Sequence, residues 1–141
     1  MLSGMVTMTA LRPTSSPSDA EVNPAESAAM LRAVLTLFDR WKLTAAQART
    51  LLGEPSERTY QRWRNGEVAT LPRETVFRLG TLLGIHKALR YMFAQPERGY
   101  AWIHAPNEAF GGHSALGRML QGAPTALAAL RAYLDAERGG W

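Results

Sequence analysis

The chain has 141 residues, of which 46% are hydrophobic and 20% charged, and this suits one domain or two small units that share a core. It contains no cysteine, which excludes disulfides, Cys-ligated zinc and thiol catalysis, and no apolar run is long enough to span a bilayer. The net charge is +4, and the whole excess lies in residues 1–94, which carry 12 Lys and Arg against 8 Asp and Glu.

The absence of cysteine fits a reducing compartment, and the first 23 residues lack the basic start and apolar core of a secretory signal. We therefore expect a cytoplasmic protein without a membrane partner. Residues 1–22 are rich in Met, Ser, Thr and Pro and show no helical period, which predicts a flexible N-terminal tail.

Regular structure is predicted to begin at "NPAE". Asn23 can cap the first turn, Pro24 suits the first helical position, and Glu26 can complete a capping box. An amphipathic helix follows, because apolar residues recur at helical spacing at Leu31, Val34, Leu35, Phe38 and Trp41.

Two shorter helices are predicted next. Thr44 can cap "LTAAQARTLLGE", and Gly53 can end it. Ser56 can cap the third helix, "SERTYQRWRNG", which Asn65-Gly66 ends. At 100° per residue, Tyr60 and Trp63 share the inner side of this helix. The opposite, outward side then carries Arg58, Gln61, Arg62 and Asn65, with Arg64 at the boundary.

The remaining segments also predict helices. Pro72 starts a fourth helix whose inward stripe would be Val76, Leu79 and Leu83, and Gly84 should interrupt or kink it. "PERGYAWIHA", "SALGRMLQ" and "PTALAALRAYLDAE" predict three more, the second capped by Ser114. No segment alternates as a strand does, so we predict an all-α fold, a helix-turn-helix bundle followed by a small helical domain.

The second and third helices form a helix-turn-helix pattern. In that motif the second helix enters the major groove of DNA, where Arg pairs with guanine and Gln with adenine. Arg58, Gln61 and Arg62 have this chemistry. A solvated arginine face on an ordinary helical bundle remains an equal alternative from spacing alone.

The three histidines offer weaker signals. His104, Glu108 and His113 are candidates for a metal or acid–base site, but they lie across a Pro/Gly loop rather than on one helical face. We expect Asn107, Gly111 and Gly112 to shape that loop instead, and we expect no bound metal or cofactor. His86 is predicted to be a surface residue. The sequence contains no recognisable set of catalytic groups, so we do not expect an enzyme.

The sequence as a whole resembles a known family. Residues 43–94 are similar to an Xre-like helix-turn-helix domain in "LTAAQARTLLGE", "RTYQRWRNGE", "LPRETVFRLGTLLGI" and "ALRYMF". Residues 96–141 resemble the toxin-binding domain of the Xre/MbcA/ParS antitoxins in "AWIHAPNEAFGGHSALGRML", "QGAPTALAALRAYL" and "RGGW". The expected organisation is a tail over 1–22, a DNA-binding domain over 23–94 and a toxin-binding domain over 95–141.

This resemblance implies an antitoxin that pairs with a RES-domain toxin, an NAD-consuming protein, and that binds operator DNA as a homodimer. The implied DNA-binding residues are Ser56, Arg58, Thr59, Gln61, Arg62 and Arg64. The implied toxin-binding residues are Trp102, Asn107, Gly111, Gly112, Arg118, Arg138, Gly139, Gly140 and Trp141. The last four would form a C-terminal tail that closes the toxin's NAD pocket. The alternative is a stand-alone DNA-binding repressor whose C-terminal half only dimerises.

Overall fold

The computed structural model describes residues 23–139, which form seven α-helices, one 3-10 turn at Glu108–Phe110 and no β-strand. The helices are α1 (Pro24–Arg40), α2 (Ala45–Leu51), α3 (Glu57–Arg64), α4 (Arg73–Met92), α5 (Pro96–His104), α6 (Ala115–Met119) and α7 (Pro124–Glu137). The all-α prediction is confirmed. The flexible-tail prediction for residues 1–22 and the tail candidates Gly140 and Trp141 concern residues outside this described range.

The first three helices begin where their capping residues predict. The Asn23 side chain accepts a hydrogen bond from the Glu26 amide at 2.8 Å, and the Glu26 side chain accepts one from the Asn23 amide at 3.3 Å. Thr44 forms the same reciprocal arrangement with Gln47 at the start of α2. Each cap pairs an amide that the helix itself leaves without an acceptor, which is typically worth about 1 kcal/mol.

One hydrophobic core runs through the described residues. The predicted apolar face of α1 is buried and packs against α4, and Trp41 at the end of α1 is fully enclosed. Leu127, Leu130 and Leu134 of α7 are buried in the same cluster. The two halves of the chain therefore fold as neighbours in one core, because α4 packs against both α1 and α7.

The expected break in α4 is wrong. The helix runs without interruption for 20 residues, and Gly84 lies inside it. A glycine in a helix interior costs only about 1 kcal/mol relative to alanine, which the packing on both sides of α4 can offset. The missing side chain at Gly84 leaves the space that the Arg131 guanidinium of α7 occupies, because a Cβ at this position would collide with it.

The buried stripe of α4 also differs from the prediction. Leu79 is buried as expected, whereas Val76 and Leu83 are only half-buried. The remaining apolar positions of the buried face are Leu82, Ile85, Ala88 and Leu89. A stripe predicted for one helical face misses this arc, because α4 packs against α1 of the first half and against α5 and α7 of the second.

A buried arginine joins three parts of the chain. Arg78 of α4 is only 4% exposed. Its Nε donates to Oε2 of Glu74 at 2.7 Å, and its Nη2 donates to the Gly122 carbonyl at 2.8 Å. Its Nη1 lies 3.4 Å from the Leu51 carbonyl at the end of α2. One guanidinium therefore holds the end of α2, the helix α4 and the turn between α6 and α7 together.

His104 forms a second link between the halves of the chain. Its Nε2 lies 2.7 Å from the backbone oxygen of Trp41, a residue 63 positions away.

The surface prediction for His86 is only partly right, since its side chain is half-buried and its Nδ1 is enclosed. Burial lowers the pKa of His86, and the nearby positive charge of Arg90 lowers the pKa further.

Among residues 23–139, no helix combines the length and hydropathy needed to cross a bilayer.

We expect Arg78→Met to lower the free energy of unfolding by about 2 to 4 kcal/mol, because the Leu51 and Gly122 carbonyls lose a buried donor. Chemical denaturation followed by tryptophan fluorescence measures the change. Glu74→Gln separates the two contributions, because it removes the carboxylate but keeps both carbonyl contacts, and we expect it to cost less than Arg78→Met. Equal losses for the two variants would show that the ion pair, not the carbonyl contacts, carries the effect.

Candidate nucleic-acid interface and partner-binding surface

The turn between α2 and α3 is built from two residues with left-handed backbone. Gly53 has φ +92° and Glu54 has φ +65°. The Glu54 amide donates to the Arg49 carbonyl at 2.7 Å, which pairs one of the last carbonyls of α2. A non-glycine residue in this conformation is strained by roughly 1 kcal/mol or more, so the surrounding contacts must hold the turn.

Arg49 supplies some of those contacts, and the sequence analysis missed it. Its Nε donates to the Pro55 carbonyl at 2.9 Å, and its Nη1 lies 3.6 Å from Glu57 at the start of α3. This side chain therefore connects the end of α2 to the start of α3. The available signal was a cation in the last turn of a short helix, where it can reach the final carbonyls.

The two sides of α3 are divided as the helical period predicts. Trp63 is 8% exposed and Tyr60 packs partly buried against the core. Arg58, Gln61 and Arg62 are exposed on the outward side. A helix anchored by two aromatic residues, with arginine and glutamine outward, has the chemistry required for the major groove.

The candidate cations of α3 differ in how closely they pair with acidic side chains. Arg64 is held back toward α1, with its Nη1 3.2 Å from Oδ1 of Asp39. Arg62 has a long contact with Glu67, 3.9 Å between Nε and Oε1, and both groups are largely exposed. Arg58 makes no salt bridge within residues 23–139. Arg58 and Arg62 are therefore the cations of this helix most available to phosphate or base edges.

Ser56 and Thr59 form the start of α3. The Ser56 hydroxyl accepts a hydrogen bond from the Thr59 amide at 3.0 Å and donates to the Thr59 hydroxyl at 3.1 Å. The predicted cap is confirmed. The Ser56 hydroxyl is thus engaged within the helix. The DNA-binding assignment of Ser56 and Thr59 stays a prediction.

The loop between α5 and α6 is closed by its own backbone. The Asn107 side chain accepts from the Ala109 amide at 2.9 Å, and the Gly112 amide donates to the Asn107 carbonyl at 3.0 Å. Gly111 and Gly112 have φ +67° and +89°, a region that favours glycine. Three of the implied toxin-binding residues therefore shape the loop, as the sequence predicted.

Aromatic rings connect this loop to the neighbouring helices. Trp102 is half-buried, and the centre of its ring lies 6.5 Å from the ring centre of Phe93 and 6.2 Å from that of Phe110. Phe110 in turn lies 5.1 Å from Tyr133 of α7 in an edge-to-face arrangement. The Arg118 guanidinium lies over the Phe110 ring at 5.6 Å. This series of contacts places Arg118 and Tyr133 on one side of the C-terminal half.

A groove of about 480 Å³ opens on that side. Phe110, Leu130 and Tyr133 supply its aromatic and aliphatic walls, and Arg118 lies at its polar edge. Ala126 and Ala129 add small side chains from α7. Sequence reasoning missed the groove because Phe110 and Tyr133, 23 positions apart, meet only in the folded chain.

The histidine and acidic residues of this region do not form a metal site. Within residues 23–139, no group of three or more His, Asp and Glu side chains is placed to hold a metal ion. His104 contacts the Trp41 carbonyl, and His113 is exposed.

The first residue of the expected C-terminal tail, Arg138, contacts α4 and α7. The Arg138 side chain is 9% exposed, its guanidinium lies 4.6 Å from the Tyr91 ring centre, and its Nε lies 3.5 Å from Oδ1 of Asp135. Arg138 is therefore held against its own fold rather than extended toward a partner. Gly139 follows with φ +94°.

Comparisons with known proteins match both halves of the chain to known domains. Residues 20–84 match the antitoxin Xre-like helix-turn-helix domain, and residues 88–140 match the antitoxin Xre/MbcA/ParS C-terminal toxin-binding domain. The protein y4oB of Sinorhizobium fredii (strain NBRC 101917 / NGR234) is 44% identical over 130 residues, which cover 92% of this chain and 97% of the relative. Both matched domains are binding modules without enzymatic activity. The chain belongs to the Xre-type antitoxins, with a helix-turn-helix domain for DNA and a second domain for a toxin.

Proposed function

We propose that this antitoxin inhibits a RES-domain, NAD-consuming toxin by occluding its active site, and that it represses its own operon as a homodimer. The observation that carries the proposal is the presence of two separate surfaces on one core. One is the outward arginine face of α3, and the other is the apolar groove of the C-terminal half.

The repressor part rests on the geometry of α3. Arg58, Gln61 and Arg62 are exposed together, while Trp63 anchors the helix and Arg49 holds the turn before it. A homodimer would place two such helices in successive major grooves, about 34 Å apart, on a palindromic operator.

The inhibitor part rests on the toxin-binding domain and on its charge. Residues 95–141 carry 4 Lys and Arg against 4 Asp and Glu, so this half lacks the cationic excess that suits nucleic acid. The RES identity of the partner comes from the family resemblance. The residues after Arg138 are the candidate plug, because the two glycines permit an extended path and Trp141 offers a large apolar side chain.

A stand-alone repressor that uses its C-terminal half only to dimerise is the second candidate. The match of residues 88–140 to a toxin-binding domain favours the antitoxin over this alternative. Co-purification of the chain with the product of a neighbouring RES-domain gene separates the two, since only an antitoxin forms that complex.

Charge reversal on α3 tests the repressor. We expect the double variant Arg58→Glu and Arg62→Glu to weaken binding to the promoter DNA of its own operon by roughly 100-fold or more, because two exposed cations become anions. An electrophoretic shift at moderate salt measures the affinity.

The matched control for this test is Arg98→Glu, which reverses an exposed cation on α5 in the other half of the chain. It should leave promoter binding unchanged. The double variant should still neutralise the toxin. Promoter binding that survives the double reversal would remove α3 from the DNA interface.

Removal of residues 139–141 tests the plug. Arg138 stays in the shortened chain and keeps its contact with Tyr91, so the fold should be preserved. We expect the shortened antitoxin to bind the RES toxin while NAD+ loss returns in the complex, because the pocket is no longer closed. An NAD+ consumption assay with the purified complex measures this.

The full-length chain is the reference for that assay. If it blocks NAD+ loss and the shortened chain blocks it equally, the plug is wrong and inhibition arises elsewhere on the toxin-binding domain. If the full-length chain leaves NAD+ loss untouched, the proposed toxin class is wrong.

A further inference from the structure

The groove between the 3-10 turn, α6 and α7 has an unusual balance of charge. Among the described residues that line it, Arg118 is the only charged one, and none is acidic. Within residues 23–139 Arg118 makes no salt bridge, and its guanidinium rests on the Phe110 ring at 5.6 Å. A cation in this position is held in place without being neutralised.

The walls of the groove can receive apolar side chains. Ala126, Ala129, Leu130 and Tyr133 follow the i, i+3, i+4, i+7 spacing on α7, so they share one face of that helix. Ala129 is exposed, and its small side chain lets a partner approach the helix closely. The volume of about 480 Å³ falls within the range of about 300 to 1,000 Å³ found for binding pockets.

We infer that this groove is the anchoring site for the toxin, and that it takes a segment with an apolar side chain beside an Asp or Glu. The apolar residue packs against Phe110, Leu130 and Tyr133, and the carboxylate pairs with Arg118. This inference rests on the proposed function and locates the contact that holds the partner, separately from the tail that would close its active site.

Three features favour a toxin as the occupant. Among the described residues, the groove is lined only by residues between Ala109 and Tyr133, which lie inside the toxin-binding match over 88–140. Arg118 makes no salt bridge with the described residues, and its guanidinium can pair with a carboxylate of the partner. Arginine over an aromatic ring, next to apolar side chains, is also typical of the strongest contacts in protein interfaces.

Two substitutions test the groove in the full-length chain. Ala129→Trp fills it, and Arg118→Glu reverses its charge. We expect each to weaken affinity for the purified RES-domain toxin of the same operon by about tenfold or more, measured by calorimetry. Arg118→Lys should keep most of the affinity, because the positive charge is retained.

Each substitution has a matched control. Ala128 is an exposed neighbour of Ala129 that does not line the groove, so Ala128→Trp should bind as the unsubstituted chain does. Arg98→Glu reverses an exposed cation elsewhere in the same half and should also bind normally. Thermal unfolding of all variants shows whether a lost affinity reflects a lost fold.

The outcomes separate this inference from the proposed function. Tight binding by the unsubstituted chain and by both groove variants would overturn the groove and leave the antitoxin function intact. Equal losses in Ala128→Trp and Ala129→Trp would also overturn it, because the effect would not be specific to the groove. A full-length chain that does not bind this toxin would overturn both.

Discussion

The burial of one guanidinium group constrains the rest of this structure. Arg78 is almost inaccessible, so its charge and donors must be satisfied inside the protein. Its partners are Glu74, the Leu51 carbonyl at the end of α2 and the Gly122 carbonyl before α7. The three contacts can form together only when the end of α2 and the turn before α7 both meet α4 at Arg78. The relative position of the two binding surfaces follows from this requirement.

The same arrangement explains how two binding activities fit on a small chain. The DNA face uses the outward side of α3, whose inner side is anchored by Trp63, while the groove lies between the 3-10 turn, α6 and α7. Gly122, which accepts the hydrogen bond from Arg78, lies between Gln121 and Ala123 of the groove lining. The turn beside the groove and the end of α2 are therefore hydrogen-bonded to the same side chain, so a residue of the first half supports the groove of the second.

Much of the local structure was predictable, because its causes lie within a few residues. The caps at Asn23, Thr44, Ser56 and Ser114 each bond an amide three positions ahead, and the helices begin there. The outward position of Arg58, Gln61 and Arg62 follows from the helical period alone. The closed Asn107 loop is likewise a short-range feature, fixed by hydrogen bonds within residues 107–113. The family resemblance covered both halves and agreed with the matched domains.

The sequence by itself thus determined where the capped helices begin, the side of α3 that faces outward and the class of protein, since each is encoded in neighbouring residues or in a recognisable series of them. Only the tertiary structure decided which cations are free. Arg64 pairs with Asp39, Arg138 lies against Tyr91, and Arg118 keeps its charge uncompensated beside the groove. It also decided that α4 continues through Gly84, where Arg131 fills the space. Most of these outcomes depend on side chains that are distant in sequence, and such contacts exist only after the helices have packed.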